Sequence, residues 1–350
     1  MTCMVLGSPL DAALERQGTF GPEYGDSLSS HVPMVVEALE RIDHPHAIEP
    51  YLEVWLPRLR LLSHEADPEL ATYPALVSEA AASVSALGPR AAVSTAFARW
   101  APGLHGAAFH GLLRLAHAVR ALDRADTPAR RAELARGLAY AIARAEEPFA
   151  ATFSSEGGAR PDLERALSEI EPSPHAREAR VGLITPNLLA RLRATGPLGR
   201  AASRIALPDD VHEAVRVLRR ASVTLFVDGE HHPSATFVLL HGVTAVDAVS
   251  ALVPWLAEAD AHALVGAMAA ALLALRIAYV GDVKDVAHAS GPSAVDPELV
   301  ERAVCSGDDH AIKLAAACLE GARDVAGARW NETLALGVAR FGRGRLLADR

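Results

Sequence analysis

Residues 234–279 read SATFVLLHGVTAVDAVSALVPWLAEADAHALVGAMAAALLALRIAY. Alanine and leucine dominate, and apolar side chains recur three and four positions apart, so the pattern predicts two long helices, over 234–256 and 259–279. The most lipid-like part, 263–275, is 13 residues between His262 and Arg276. Spanning a bilayer takes about 20. The segment therefore reads as a buried core helix, and no membrane association is expected.

The same spacing continues outward in both directions. Periodic stretches run over 48–61, 76–86, 107–122, 128–145, 162–170, 186–193, 210–225, 297–305, 309–325 and 330–341. Another begins where Ser29 and Ser30 precede Pro33 and MVVEALERI, a hydroxyl cap followed by a proline in the first turn. VTLFV at 223–227 has strand-like chemistry but sits in a helical pattern and reads as a helix end. No repeat of solenoid length is evident. The expected fold is all-α, a single compact multi-helix domain over 1–350 with any functional site in the helical core. A polar, Gly- and Pro-bearing excursion is expected around 153–180, where SSEGGARP and EPSPHAREAR stand.

Composition narrows the partners. The 34 basic and 43 acidic residues leave a formal charge of −9, which disfavours polyanionic partners, so no nucleic acid is expected. Cys3, Cys305 and Cys318 are too few and scattered for a disulfide framework or a thiolate metal site. The opening MTCMVLGSPLDAALERQ has neither a basic n-region nor a long apolar run, and a cytoplasmic location is expected. GARPDL, GPLGRA and RFGRGR lack the strand–turn–helix setting of a phosphate loop, and no GxSxG or HExxH motif occurs.

Histidine placement is more informative, since the chain carries 15. His44, His46, His64, His175 and His212 lie among charges, prolines or turns and read as solvated. Four others stand on apolar helical faces or at helix starts, where a bare imidazole needs a partner. These are His31 in SSHVPM, His110 in GAAFHGLLRLAHAV, His241 in TFVLLHGVTAVDAV and His310 in DDHAIKLAAACLEGA, the last after an Asp308–Asp309 cap. Each alone fits a hydrogen-bonded core histidine. Together, on separate helices, they fit a metal centre assembled inside a bundle. His105, His231, His232, His262 and His288 lie nearer to turns, as reserves.

Lys313 follows His310 by three residues on the same helical face. Of the 34 basic residues, 32 are Arg and only Lys284 and Lys313 are Lys, so a primary amine is a rare choice here. Arginine keeps its proton, whereas a buried lysine can lose it. A neutral amine can attack a carbonyl, act as a base, or take up carbon dioxide as a carbamate with oxygen ligands; the alternative is a lysine that simply snorkels to solvent, a compositional leftover on a solvated face. Lys284, between Asp282 and Asp285, reads as a surface ion pair.

SSHVPMVVEAL, GAAFHGLLRLAHAV, TFVLLHGVTAVDAV and DDHAIKLA, in this order and at these separations, resemble the questin oxidase-like family of fungal and bacterial oxygenases. The resemblance covers about Ser29 to Ala317, and LHGVT and DDHAIK carry most of it. It implies oxygen-dependent oxidation and ring opening of anthraquinone-type polyketides, Baeyer–Villiger-like or dioxygenase chemistry, at a mononuclear non-haem iron. The implied ligands are four histidines and a carboxylated lysine, here His31, His110, His241, His310 and Lys313. Arg114 stands where some fungal relatives have a second histidine, and the chain is shorter than theirs.

Four imidazoles and a carbamate suit Fe(II) or manganese better than copper(I). Dioxygen is then the co-substrate and a small aromatic molecule the partner. NADPH is implied for the family, but no nicotinamide or flavin fingerprint is present, so a separate reductase would supply electrons. Arg114 and His117, one and two turns beyond His110, are candidates for orienting substrate or for acid–base work. Trp55, Trp255 and Phe109 are candidates for apolar walls or plain core packing. The alternatives are a helical hydrolase holding zinc with the same ligands, or a metal-free helical ligand-binding protein.

Overall fold

Helix starts in this protein are written in short acceptor side chains and prolines. Thr127 Oγ1 accepts from the Arg130 amide ahead of the Pro128–Ala143 helix, and Asp210, Asp296 and Asp308 each cap the helix that follows them. Such caps satisfy amides that have no partner in the first turn. The computed structural model describes residues 8–25, 27–62, 70–149, 153, 163–170, 198–229, 233–280 and 294–342.

The chain order is α1 (Pro9–Gln17), a hairpin of β1 (Glu23–Tyr24) and β2 (Leu28–Ser29), α2 (Val32–Arg41), α3 (Ile48–Trp55), α4 (Tyr73–Leu87), α5 (Pro89–Thr95) and α6 (Phe97–Trp100). Then come α7 (His110–Arg124), α8 (Pro128–Ala143), α9 (Leu163–Glu169), α10 (Leu198–Ala202) and α11 (Val211–Asp228). The last are α12 (Pro233–Leu252), α13 (Glu258–Tyr279), α14 (Pro297–Ser306), α15 (Asp309–Asp324) and α16 (Trp330–Phe341). The fold is all-α, and among the described residues the hairpin is the only sheet. Glu23 pairs with Ser29 and Tyr24 with Leu28, antiparallel.

Four helices form a closed inner ring: α2 packs on α7, α7 on α12, α12 on α15 and α15 on α2. Around it, α8 lies along α7, α11 and α13 cover α12, and α14 and α16 brace α15. The α7–α8 contact is close because both helices present glycine: a Cβ on Gly111 would lie 2.8 Å from Ala141 Cα, and one on Gly137 3.2 Å from Leu115 Cα. Two segments, 235–255 and 258–279, are long and apolar enough to cross a membrane, and within their most apolar windows 83% and 78% of residues are buried in the fold. The 13-residue apolar run of the sequence thus sits inside a longer helix that also takes in His262 and Arg276.

Several local expectations change. Ser29 and Ser30 do not cap α2; Ser29 is in β2 with its Oγ 2.6 Å from Tyr140 Oη, and His31 occupies the cap position without a side-chain bond to the helix. The strand pairing takes the serines away from the helix end. The stretch over 48–61 divides, because Pro57 follows Leu56 into a short 3-10 turn after α3. VTLFV, as expected, forms the end of a helix, the last turn of α11 before Asp228. The segment 186–193, most of the excursion at 153–180, Cys3 and Lys284 lie outside the described residues.

A buried ion cluster ties the ring together six to ten residues beyond the candidate histidines, about 9 to 15 Å along the helices at 1.5 Å per residue. Asp247 of α12 receives Arg120 of α7 at 2.9 Å, Arg41 of α2 at 3.3 Å and Arg219 of α11 at 3.6 Å. Burial would raise the Asp247 carboxyl, but these guanidinium groups outweigh it and hold the pKa at about 2, against 3.8 for the free group. The folded pKa is the lower one, so the stabilisation is complete above pH 3.8 and is lost as pH falls through 2. Chemical denaturation should show a Tm and unfolding free energy that decline across that window, by about 2 kcal/mol from this group. Asp247→Asn takes the buried anion from Arg120 and leaves Arg41 only Glu37 and Arg219 only Asp324, and should cost about 3 kcal/mol at neutral pH; a loss under 1 kcal/mol would refute the cluster's role.

Candidate metal centre

Each helix of the inner ring delivers one histidine to the same place. His31 stands at the cap of α2, His110 opens α7, His241 lies in the middle of α12, and His310 is the second residue of α15. The His31 and His110 rings stack with centroids 4.6 Å apart. His110 and His241 meet at 5.0 Å, His241 and His310 at 5.4 Å, and His31 and His310 at 4.8 Å. The four imidazoles therefore close a ring of their own.

The hydrogen bonds decide which nitrogen of each ring is free. His110 Nδ1 lies 2.5 Å from the Ala107 carbonyl and His241 Nδ1 lies 2.8 Å from the Phe237 carbonyl. A carbonyl only accepts, so both Nδ1 atoms carry the proton. His31 Nδ1 contacts Asp309 Oδ2, and His310 Nδ1 lies 2.9 Å from Asp309 Oδ1. One carboxylate thus orders two imidazoles. With every Nδ1 engaged, the Nε2 atoms are left over: His31 Nε2 and His110 Nε2 are 2.6 Å apart, and His241 Nε2 and His310 Nε2 are buried without a partner; His31, Asp309 and His310 lie close enough together to hold one ion.

Burial keeps His31, His110 and His241 neutral. It pulls the His31 pKa down to about 4, against the opposing pull of Asp309, and pushes His110 and His241 well below the ordinary value. Burial alone would raise Asp309, but the His31 and His310 imidazoles outweigh it and hold the carboxyl well below the usual range. Neutral imidazoles and an ionised carboxylate are the protonation states that ligate and orient a cation.

Lys313 lies one turn beyond Asp309 on α15 and is 1% exposed, and its Nζ has no hydrogen-bond partner. Burial lowers its pKa to about 8, with Asp309 and Asp308 resisting. His241 and Lys313 are fully buried, whereas His310 is partly exposed. Phe237 and Phe341 lie against His310, with ring centroids 5.0 and 5.9 Å away.

Local backbone strain is concentrated beside His110. Ala107, Ala108 and Phe109 adopt φ of 45°, 57° and 68°, left-handed conformations that cost an L-residue about 1 to 2 kcal/mol each. This turn ends the expected 107–122 helix short at its N-terminus and aims the Ala107 carbonyl at His110. Gly106 precedes it because a Cβ there would fall 1.6 Å from the Arg144 carbonyl oxygen.

The structure brings together His31, His110, His241, His310 and Lys313, and it adds Asp309, which the sequence placed in a helix cap. Asp308 makes the main cap, accepting from the His310 and Ala311 amides at 2.9 Å each, and the His310 amide also reaches Asp309 Oδ1 at 3.0 Å. The doubled acid DDH was the available signal, because one cap needs one carboxylate. Arg114 and His117 go elsewhere. Arg114 is paired with Glu133 at 2.7 Å and reaches Gln17 at 3.4 Å, and His117 lies 2.5 Å from Glu37. None of these partners belongs to the histidine cluster.

The remaining candidates scatter. His105 is buried rather than exposed, its ring stacked 4.1 Å from Phe149. His46 and His212 are exposed, and His44 is half-buried against Glu301. Phe109 is wholly buried, and Trp255 donates to Asp123. His64, His175, His231, His232 and His288 lie outside the described residues.

In chelator-treated protein, long-range proton–nitrogen spectra should show His31, His110, His241 and His310 as Nδ1–H tautomers, the minority form of free histidine. Asp309→Ala should release His31 and His310 alone from that state. Nε2–H signals from His110 and His241 in the wild type would contradict the arrangement.

Comparison of the chain with protein-family models, curated proteins and solved structures finds no match.

Proposed function

We propose that His31, His110, His241, His310 and a carboxylated Lys313 hold a mononuclear non-haem iron, and that the protein is an oxygen-dependent oxidoreductase acting on a small aromatic substrate. One observation carries this reading: four imidazoles from four helices close a ring of contacts with every Nδ1 engaged and two Nε2 atoms buried without a partner. The Nε2 atoms of His31 and His110, 2.6 Å apart, repel unless a cation lies against both, and that separation is within the roughly 4 Å spanned by two metal–nitrogen bonds of about 2 Å.

The donor set selects the metal. Borderline nitrogens with one hard oxygen suit iron or manganese. A catalytic zinc ordinarily keeps three protein ligands and a water, and this set crowds out the water, which weighs against the hydrolase. A metal-free binding protein would leave the orphan nitrogens and Lys313 Nζ without any function to offset their burial.

Iron, when bound, supplies a redox-active cation that can bring dioxygen and an electron-rich ring to react. The chain's own residues set the conditions for it. Asp309 holds the protons on His31 and His310 at Nδ1. Lys313 is buried with a pKa of about 8, so an appreciable neutral fraction is open to carbon dioxide near neutral pH; the carbamate formed is an anion with oxygen donors. Phe237 and Phe341 keep water from the partly exposed His310. The reaction class, oxidation with ring cleavage of an anthraquinone-type compound, follows from the family resemblance of the four histidine segments. Reducing equivalents come from the substrate or from a separate NADPH-dependent reductase, and a cytoplasmic setting fits such partners.

Protein purified without chelator should contain about one iron per chain by elemental analysis, with zinc supporting the hydrolase and no metal the binding protein. His241→Ala and Lys313→Arg should each abolish iron retention and oxygen uptake with a hydroxyanthraquinone, and Asp309→Asn should weaken metal affinity about 10- to 100-fold. Metal retained by both His241→Ala and Lys313→Arg would refute the ligand assignment.

A further inference from the structure

Beside the histidine cluster, α3 carries two polar atoms that the fold buries and leaves unused. Tyr51 is fully buried and its hydroxyl has no hydrogen-bond partner. One turn later the Trp55 indole nitrogen is buried and unpartnered as well. The two rings lie 5.9 Å apart, tilted by 30°. Tyr24 of β1 meets Trp55 edge-on at 6.4 Å, and the exposed Arg58 guanidinium lies 4.5 Å above the Trp55 ring.

These residues adjoin the centre. β1 pairs with β2, whose last residue is two positions before His31, and the Ser30 amide donates to the Pro22 carbonyl at 2.8 Å. The loop that presents Tyr24 is therefore the one that presents His31. Burial raises the Tyr51 pKa well above its ordinary value, and the Asp309 carboxylate adds to that. The Tyr24 hydroxyl is shifted in the same direction by the same two causes. Both phenols remain protonated donors within the field of the carboxylate that orders His31 and His310.

An unsatisfied buried hydroxyl or indole N–H costs about 1 to 3 kcal/mol. Aromatic faces with a cation above them favour a flat, electron-rich guest. An indole N–H can only donate, so the missing partner is an acceptor. We propose that Tyr24, Tyr51, Trp55 and Arg58 form the recognition wall for the substrate of the centre. The ligand is a planar ring system whose carbonyl or phenolate oxygens take hydrogen bonds from Tyr51 Oη and Trp55 Nε1. The assignment rests on reading the histidine cluster as a metal centre, and it deepens that reading by naming the residues that select the substrate.

The test titrates the full chain, as purified, with 1,8-dihydroxyanthraquinone, followed by the probe's visible absorbance, in the wild type, Tyr51→Phe and Trp55→Phe. Metal content and melting temperature are measured on the same samples. Tyr51→Phe should weaken probe binding about five- to tenfold, the worth of one hydrogen bond, with metal content unchanged and a melting temperature equal or higher, because the orphan hydroxyl is gone. A hydroxyl with a purely structural role would lower the melting temperature instead. Trp55→Phe should weaken binding similarly. Probe affinity within twofold of wild type in both variants, or no probe binding by the wild type, overturns the wall. A wild type without metal whose probe affinity still falls in Tyr51→Phe overturns the metal-centre reading alone and supports the wall.

Discussion

Four imidazoles whose Nδ1 atoms are all engaged are held in fixed orientations where four helices meet. That constraint organises the inner ring of α2, α7, α12 and α15. Each anchor is a different device: a carbonyl one turn back in α12, a strained left-handed turn ahead of α7, and the two oxygens of Asp309 for the histidines of α2 and α15. The diversity is instructive, because ordinary packing would have produced one kind of satisfied histidine or none. Three successive left-handed residues cost about 1 to 2 kcal/mol each. A fold retains such strain where the surrounding structure over-determines it, as at a site.

Asp309 concentrates the arrangement further. It stands at the first position of α15, where the unpaired amides of the helix favour an anion, and it spends both oxygens on rings from two helices. His241 and Lys313 are fully buried, while His310 is partly exposed beside Phe237 and Phe341. The hairpin leads into His31, and α3 carries the unpartnered donors of Tyr51 and Trp55.

Helices were legible in the sequence because their cause is local: alanine and leucine at three- and four-residue spacing, with Pro, Asp and Thr at the starts. The 259–279 expectation agrees with α13 almost to the residue for that reason. His31, His110, His241 and His310 were legible as imidazoles in apolar surroundings, but their convergence was not, since it depends on how four helices pack. Ser29 misled because its hydroxyl had a better partner in Tyr140, more than a hundred residues away in the chain. Arg114 and His117 were placed by proximity in sequence to His110, yet the helix turns their side chains toward Glu133 and Glu37. Asp309 was hidden by a neighbour that performs the expected capping.

The contrast between 32 arginines and two lysines acquires a physical sense along the inner ring. At one level, Arg41, Arg120 and Arg219 converge on Asp247, a place that needs cations which never discharge, because a neutral partner would leave the carboxylate buried alone. Nearer the histidines, Lys313 is 1% exposed with no hydrogen-bond partner for its Nζ, a place where a permanent cation would be buried unpaired. A guanidinium cannot leave that conflict, since it keeps its proton throughout the accessible pH range. An amine whose pKa burial has lowered to about 8 can. Arginine serves where the bundle needs a fixed charge, and the one described lysine stands where burial makes the charge removable.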